Sequence, residues 1–240
     1  MTDITLFEAM YSARALRRLK PDPVPQELLS KVLDAAIRAP SAGNAQSWSF
    51  VVVREREQRA RLGAIYRKAS DIASAMYAAR ERPAHMSEQQ YRCFMASGGY
   101  LWEHMADAPV LLVPCMRRAQ LPPRDALPAA VQARYEQELE YAQRIRGASI
   151  YPAVQNFILA CRALGLATLI TTNHIRYEAE LKAVLGIPED VDTYALMPIG
   201  YPEGKFGPVT RRPVAEVTHA DFWSNPWPCE ARHNAPSTSD

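Results

Sequence analysis

The 240-residue sequence has no paired cysteines, no long apolar run and no large excess of one charge, and each absence excludes a class of protein. Cys93, Cys115, Cys161 and Cys229 lie far apart and form no C-x-x-C pair, which argues against a disulfide framework or a zinc site. Cys115 and Cys161 sit in apolar stretches and read as small core residues. No stretch approaches the roughly 20 apolar residues that span a bilayer, so no membrane partner is expected. The start, MTDITLFEAM, lacks the basic and then apolar pattern of a signal peptide, and the expected location is the cytoplasm. A net charge of +2 gives no general attraction to nucleic acid, so an anion site must come from locally clustered arginines. Also missing are H-E-x-x-H, G-x-S-x-G, the P-loop and G-x-G-x-x-G. The common sequence-readable chemistries are therefore absent, which turns attention to a bound cofactor.

What is present is a soluble globular composition, 48% hydrophobic and 22% charged, with enough chain for a sizeable core. Apolar residues at helical spacing mark residues 3–12, and proline at 21, 23 and 25 forces an extended connector after them. Pro25 followed by Leu28, Leu29, Val32, Leu33, Ala36 and Ile37 predicts an amphipathic helix ending at Ala39-Pro40. Residues 49–53 read as a strand, 55–106 as helix broken near Arg82-Pro83, and 110–114 as a short buried strand. A proline-rich stretch at 117–128 and a polar helix at 129–146 read as an excursion from the core, and 80–92 as a second one. Either would suit a lid. A nearly all-apolar helix at 151–164 belongs in the interior, followed by a strand at 167–172, a helix at 175–186 and a strand at 194–199. Strands interleaved with long helices predict an α+β sheet wrapped by helices. One domain is expected over residues 1–228, with a disordered tail at 229–240.

Three pieces carry possible chemistry. Arg14 and Arg17 are three apart, so on a helical turn both project from one side, while Arg18 points elsewhere. Two guanidiniums can grip a phosphate. Taken alone, the segment reads first as a solvated basic surface. A second basic group, Lys205 with Arg211-Arg212, follows a strand end. The loop Pro40-Ser-Ala-Gly-Asn-Ala-Gln-Ser-Trp48 concentrates small residues and amides that suit a flat ligand, or it simply ends a helix. Thr168-Leu-Ile-Thr-Thr-Asn173 ends a central strand, a frequent ligand position.

These pieces, in this order, resemble the nitroreductase-like family of FMN-dependent oxidoreductases. The resemblance runs from Arg14-x-x-Arg17 with Lys-Pro-Asp-Pro-Val-Pro, through Ala39-Pro-Ser-x-x-Asn-x-Gln-x-Trp48, to Pro152-Ala-Val-Gln-Asn and Ala163-Leu-Gly-Leu-Ala-Thr. It ends in Pro198-Ile-Gly-Tyr-Pro and Arg211-Arg-Pro-Val. It implies a three-layer α/β/α sandwich around a mixed, mainly antiparallel sheet, in an intertwined homodimer. It implies bound FMN, reduced by NADH or NADPH, with the flavin N5 rather than a dedicated acid or base carrying the chemistry. Arg14 and Arg17 match basic positions at the flavin phosphate and pyrimidine edge, and Ala15 a backbone contact. Pro40, Ser41, Ala42 and Asn44 match a loop that reaches the flavin of the other subunit. Ile170, Thr171 and Thr172 match the segment near N5 and O4, Arg211 a phosphate ligand and Lys205 its helper. Residues 210–228, with Phe222, Trp223 and Trp227, match an arm around the partner.

Two positions depart from the family pattern. Ala15 stands where many members have serine, and Ser47 where proline is common. The implied activity is reduction of nitroaromatics, quinones or similar planar acceptors by a ping-pong scheme. The alternatives are a narrow-purpose flavoenzyme (a reductive dehalogenase, ene-reductase or flavin-fragmenting enzyme) and a flavin-binding protein without turnover. Tyr91, Tyr135, Tyr141 and Arg144 are candidates for substrate contacts in a narrow-purpose enzyme, or ordinary surface residues.

Overall fold

In the computed structural model, which describes residues 4–228, the strand Val110–Arg117 (β2) organises everything else. Its first six residues are all buried, and alternate side chains enter two different cores. Val110 and Leu112 join Leu29, Val32, Val154 and Phe157 on one face. Leu111, Val113 and Cys115 join Leu62, Ile65, Leu101 and Leu181 on the other. The first face is covered by helices Gln26–Ala36 (α2) and Ile150–Ala163 (α7), which pack on each other. The second is covered by Arg56–Ala78 (α3), Glu88–His104 (α4) and Glu178–Leu185 (α8). The result is helix, sheet, helix in three layers, each helix burying one apolar stripe.

Strand Trp48–Val53 (β1) pairs with β2 along its length, and on the other side β2 meets Val191–Thr193 (β4) and Met197–Gly200 (β5). Ala167–Thr168 (β3) completes the sheet beside β5. Every pairing between named strands is antiparallel, as the mainly antiparallel expectation requires, and no parallel pair occurs among the described residues. The strand expected at 194–199 is split: residues 194–196 leave the ladder between β4 and β5, although the Tyr194 N–H still donates to Pro114 O at 2.9 Å. The strand expected at 167–172 stops after Thr168 and touches its neighbour again only at Thr171–Leu196. Leucine and threonine spacing alone could not reveal these interruptions.

The helices fall close to expectation. Leu6–Ser12 (α1) is capped by Thr5, whose side chain accepts from the Glu8 N–H. The α3–α4 break spans residues 79–87, and α4 begins with a reciprocal cap between Ser87 and Gln90. The excursion carries two helices rather than one, Ala129–Gln132 (α5) and Tyr135–Arg144 (α6). All of this lies in the first of two units, which ends at Gly207. In the second unit, from Pro208, Phe222, Trp223 and Trp227 are exposed and the His219 ring lies 4.5 Å from that of Trp223. The expected tail at 229–240 lies outside the described residues.

One buried polar cluster clamps the loop between β3 and α8. Glu178 accepts from both the N–H and the hydroxyl of Thr193, each at 2.6 Å. With that hydroxyl proton committed, the His174 Nε2 must donate to Thr193 Oγ1 at 3.2 Å, leaving Nδ1 a buried acceptor without a partner. Burial lowers the His174 pKa from 6.5 to about 4, against the pull of Glu178. The imidazole is therefore neutral in the fold but takes a proton in the unfolded chain below pH 6.5. Its stabilisation is complete above that pH and declines as pH falls toward 4, by up to about 3 kcal/mol. Urea midpoints at pH 7.5 and 5.0 should diverge more in the wild type than in His174→Gln. Equal divergence would remove His174 as the cause.

Candidate active site

Arg14 to Arg18 are not helical: α1 ends at Ser12, and short turns follow, with Arg14 N–H donating to Ser12 O and Leu16 N–H to Arg14 O. The segment is held instead by the end of β5. Lys20 N–H donates to Tyr201 O at 2.8 Å, Glu203 N–H to Arg18 O at 3.1 Å, and Leu19 bridges Pro202. Gly200 makes this approach possible, because a Cβ there would lie 3.0 Å from Pro109 and 3.3 Å from Leu19 Cβ. A second brace comes from α7, where the Arg162 Nε donates to Ser12 Oγ at 2.8 Å and its guanidinium stacks on Phe206.

Held this way, Arg14, Ala15, Arg17 and Arg18 all line one cavity of about 370 Å³, with Ser97, Tyr100 and Gly204 opposite. Ligand sites commonly measure roughly 300–1,000 Å³. The helical expectation that sent Arg18 elsewhere is thus corrected: its guanidinium lies 3.9 Å from the Tyr100 ring centre, within the same cavity. Arg17 also lines a neighbouring cavity of about 210 Å³, together with Ile170, Thr171, Thr172 and the aromatics Tyr66, Tyr77, Phe94 and Trp102. One side chain is therefore common to a basic cavity and an aromatic one.

Arg17 is half-buried, donating to Ser97 Oγ at 3.0 Å and Ala15 O at 3.3 Å. None of Arg14, Arg17 and Arg18 forms an ion pair among the described residues. Burial lowers the Arg17 pKa, and the nearby Tyr66 phenol offsets this in part. Tyr66 is itself 2% exposed. Burial raises its pKa, while Thr171, Ser70, Arg17 and Asn173 pull the other way. Arg17 has no carboxylate partner among the described residues, an arrangement that suits a ligand supplying one.

The other sequence candidates separate from this pair of cavities. Pro40, Ser41, Ala42 and Asn44 form an exposed loop, and Ala42 lines a third cavity of about 240 Å³ with Met116, Arg117, Arg118, Ile145 and Arg146. The loop is rigidly built, with Gly43, Asn44 and Gln46 all at positive φ. Ser41 Oγ accepts from the Gln46 N–H at 3.1 Å, and Ser149 Oγ from the Ala42 N–H at 3.2 Å. Two non-glycine residues, Asn44 and Gln46, thus stand in the left-handed region on an exposed, locally hydrogen-bonded loop. Lys205 is exposed beside Gly204, and Arg211 belongs to the second unit, where it donates to Thr210 O at 2.8 Å. Sequence reasoning missed Tyr66, Tyr77, Phe94, Ser97 and Trp102. They stand on α3 and α4 at ordinary helical spacing, and nothing in their pattern distinguishes a cavity wall from core.

A sheet covered on both faces, with a basic and an aromatic cavity at its end, defines the general class. The Nitroreductase family profile matches residues 11–201, and the chain belongs to that family. Over 217 residues it is 27% identical to an NADH dehydrogenase of Thermus thermophilus, covering 87% of this chain and 92% of the relative. Two solved structures share the fold. An iodotyrosine deiodinase bound to FMN and 3-iodo-L-tyrosine has a TM-score of 0.64 at 18% identity, over 96% of this chain and 100% of the other. The NADPH:FMN oxidoreductase of Vibrio harveyi complexed with NAD+ has a TM-score of 0.62 at 18% identity, over 92% and 78%.

A half-buried guanidinium without a counter-ion is a cost to the ligand-free fold. Arg17→Met should leave the stability of the ligand-free protein within about 0.5 kcal/mol or raise it. Chemical denaturation checks this, and a large loss would make Arg17 a structural residue instead.

Proposed function

We propose that this protein is an FMN-dependent NAD(P)H oxidoreductase of the nitroreductase type. The observation that carries the reading is Arg17, which lines both the basic and the aromatic cavity and has no carboxylate partner of its own among the described residues. A phosphate-bearing aromatic cofactor supplies what each cavity lacks: negative charge for Arg14 and its neighbours, and a flat ring for the aromatic side. The residues fit FMN in kind, offering guanidiniums, threonine hydroxyls and an aromatic wall. When bound, FMN would supply the redox chemistry, carrying electrons from NADH or NADPH to a nitroaromatic, quinone or similar planar acceptor in a ping-pong cycle.

In this reading Arg14 holds the phosphate, with Arg211 and Lys205 assisting, and Ala15 contributes backbone. Arg17 lies toward the pyrimidine edge, where a fixed positive charge favours the electron-rich form. Ile170, Thr171 and Thr172 support the ring. The Pro40–Asn44 loop, in its separate cavity, serves the flavin of a second copy, so the working unit is a homodimer. Support for that comes from the exposed apolar face of α1, where Leu6, Phe7, Met10 and Tyr11 are 45–67% exposed. No helix of the described residues is long and apolar enough to cross a membrane, in keeping with the cytoplasmic location proposed here.

The purified protein should be yellow, and NADH or NADPH should bleach its visible spectrum under anaerobic conditions. A bound flavin that stays oxidised with both donors would leave a binding protein without turnover. Steady-state lines should run parallel when donor and acceptor are varied; intersecting lines would remove the ping-pong scheme. Arg14→Ala should weaken FMN about tenfold, or about 1.4 kcal/mol, while leaving riboflavin binding unchanged. Equal weakening of both would take the phosphate away from Arg14.

A further inference from the structure

We propose that Tyr66 is a positioning residue, whose phenol oxygen holds the Arg17 guanidinium at the wall between the two cavities, on the side that would face the cofactor ring. The inference rests on the oxidoreductase reading. It adds to that reading a control on how strongly the site favours the electron-rich form of the flavin.

Arg17 has two cavities to serve, and its bonds within the chain favour one of them. Both run from Nη1, to Ser97 Oγ at 3.0 Å and to Ala15 O at 3.3 Å, and Ser97 and Ala15 line the basic cavity. They draw the guanidinium toward the phosphate side. Tyr66 stands on the other side, lining the aromatic cavity and not the basic one. It lies near enough to Arg17 for each to perturb the titration of the other.

The neighbours of the phenol orient it for this task. The side chains of Thr171, Ser70 and Asn173 lie against it. Thr171 Oγ1 donates its own proton to Leu196 O at 3.1 Å, so toward Tyr66 it can only accept. Asn173 Nδ2 donates to Ser70 Oγ at 3.4 Å, and the Asn173 Oδ1 accepts from Arg176 at 3.0 Å, which leaves the Ser70 proton for the phenol. Tyr66 therefore gives its proton to Thr171 and turns its lone pairs toward Ser70 and Arg17. Burial keeps the phenol protonated, Tyr66 being 2% exposed and Ser70 fully buried. A neutral oxygen attracts a guanidinium without cancelling its charge, as a carboxylate would. The attraction is stronger in a buried setting than at the surface. The positive charge of Arg17 thus stays available to the ring.

Tyr66→Phe keeps the aromatic ring and removes the oxygen. The reduction potential of the bound flavin should fall by about 30 mV in this variant, a tenfold loss of preference for the reduced form over the oxidised. Ser97→Ala, which cuts the tether on the other side, should not lower the potential. An unchanged potential in Tyr66→Phe, or a fall in Ser97→Ala, overturns the inference. Should Tyr66→Phe not fold, Ser70→Ala strips the phenol of its donor from outside the cavity lining. It should lower the potential in the same sense, and an unchanged value there is equally adverse. A second readout needs no flavin. In the ligand-free protein, nitrogen relaxation of the Arg17 Nε–H, assigned with Arg17→Met, should show lower order in Tyr66→Phe than in the wild type. Equal order also overturns the inference. A protein that takes up no FMN overturns the oxidoreductase reading instead, and the Arg17 signal then decides the tether by itself.

Discussion

The first unit is arranged around a strand whose first six residues are buried from water. β2 is buried on both faces, so each of its side chains must be matched by a helix above or below it. Its backbone must be matched by a neighbouring strand on each edge. β1 satisfies one edge, and β4 and β5 divide the other. Pro114 stands in the middle of this strand, where it can accept from Tyr194 but donate nothing. The ladder on that side opens at 194–196 accordingly, and Thr171 uses the opening to bridge Leu196. A constraint on one strand thus sets the position of a loop at the cavity.

The same logic explains why the arginines lie where they do. The end of β5 continues into Tyr201 and Pro202, and residues 18–20 pair with them as an improvised extra strand. That pairing, together with the stack of Arg162 on Phe206, fixes the backbone from Ser12 to Lys20 without a helix. The guanidiniums can then be spent on the cavity, since none is needed for internal ion pairs. Arg59 offers the contrast. Its guanidinium is committed inside the fold, donating to the carbonyls of Ala106 and Ala108.

How much of this the sequence disclosed depends on whether the signal was local. The helix after Pro25, the break near Pro83 and the edge strand at 48–53 follow from capping, proline and alternation, and all appear within a few residues of expectation. The three-layer order and the family are recoverable because four motifs keep their sequence order over most of the chain. What could not be read was non-local. The split of β4 from β5 answers to Pro114, some 80 residues earlier, and the non-helical course of Arg14–Arg18 answers to Tyr201. The helical spacing of Arg14 and Arg17 suggested a shared side for the wrong reason. They line one cavity because an extended segment was captured by a strand end.

The Pro40–Asn44 loop marks the limit of reasoning about one chain. Positive φ at Asn44 and Gln46 is an unfavourable conformation for residues with a Cβ, yet both are held there by contacts from Ser41 and from each other, while the start of α7 ties the neighbouring Ala42. A loop so fixed and so exposed has a shape for something outside its own fold, because nothing within the first unit presses on it from the solvent side. The two cavities joined by Arg17 have the converse property, with charge and aromatic surface but no loop of small residues to close over a flat ligand. A second copy supplying that loop would answer both conditions at once. In the proposed homodimer Arg17 and the Pro40–Asn44 loop would meet at one flavin, although within one chain Arg17 and Ala42 line separate cavities.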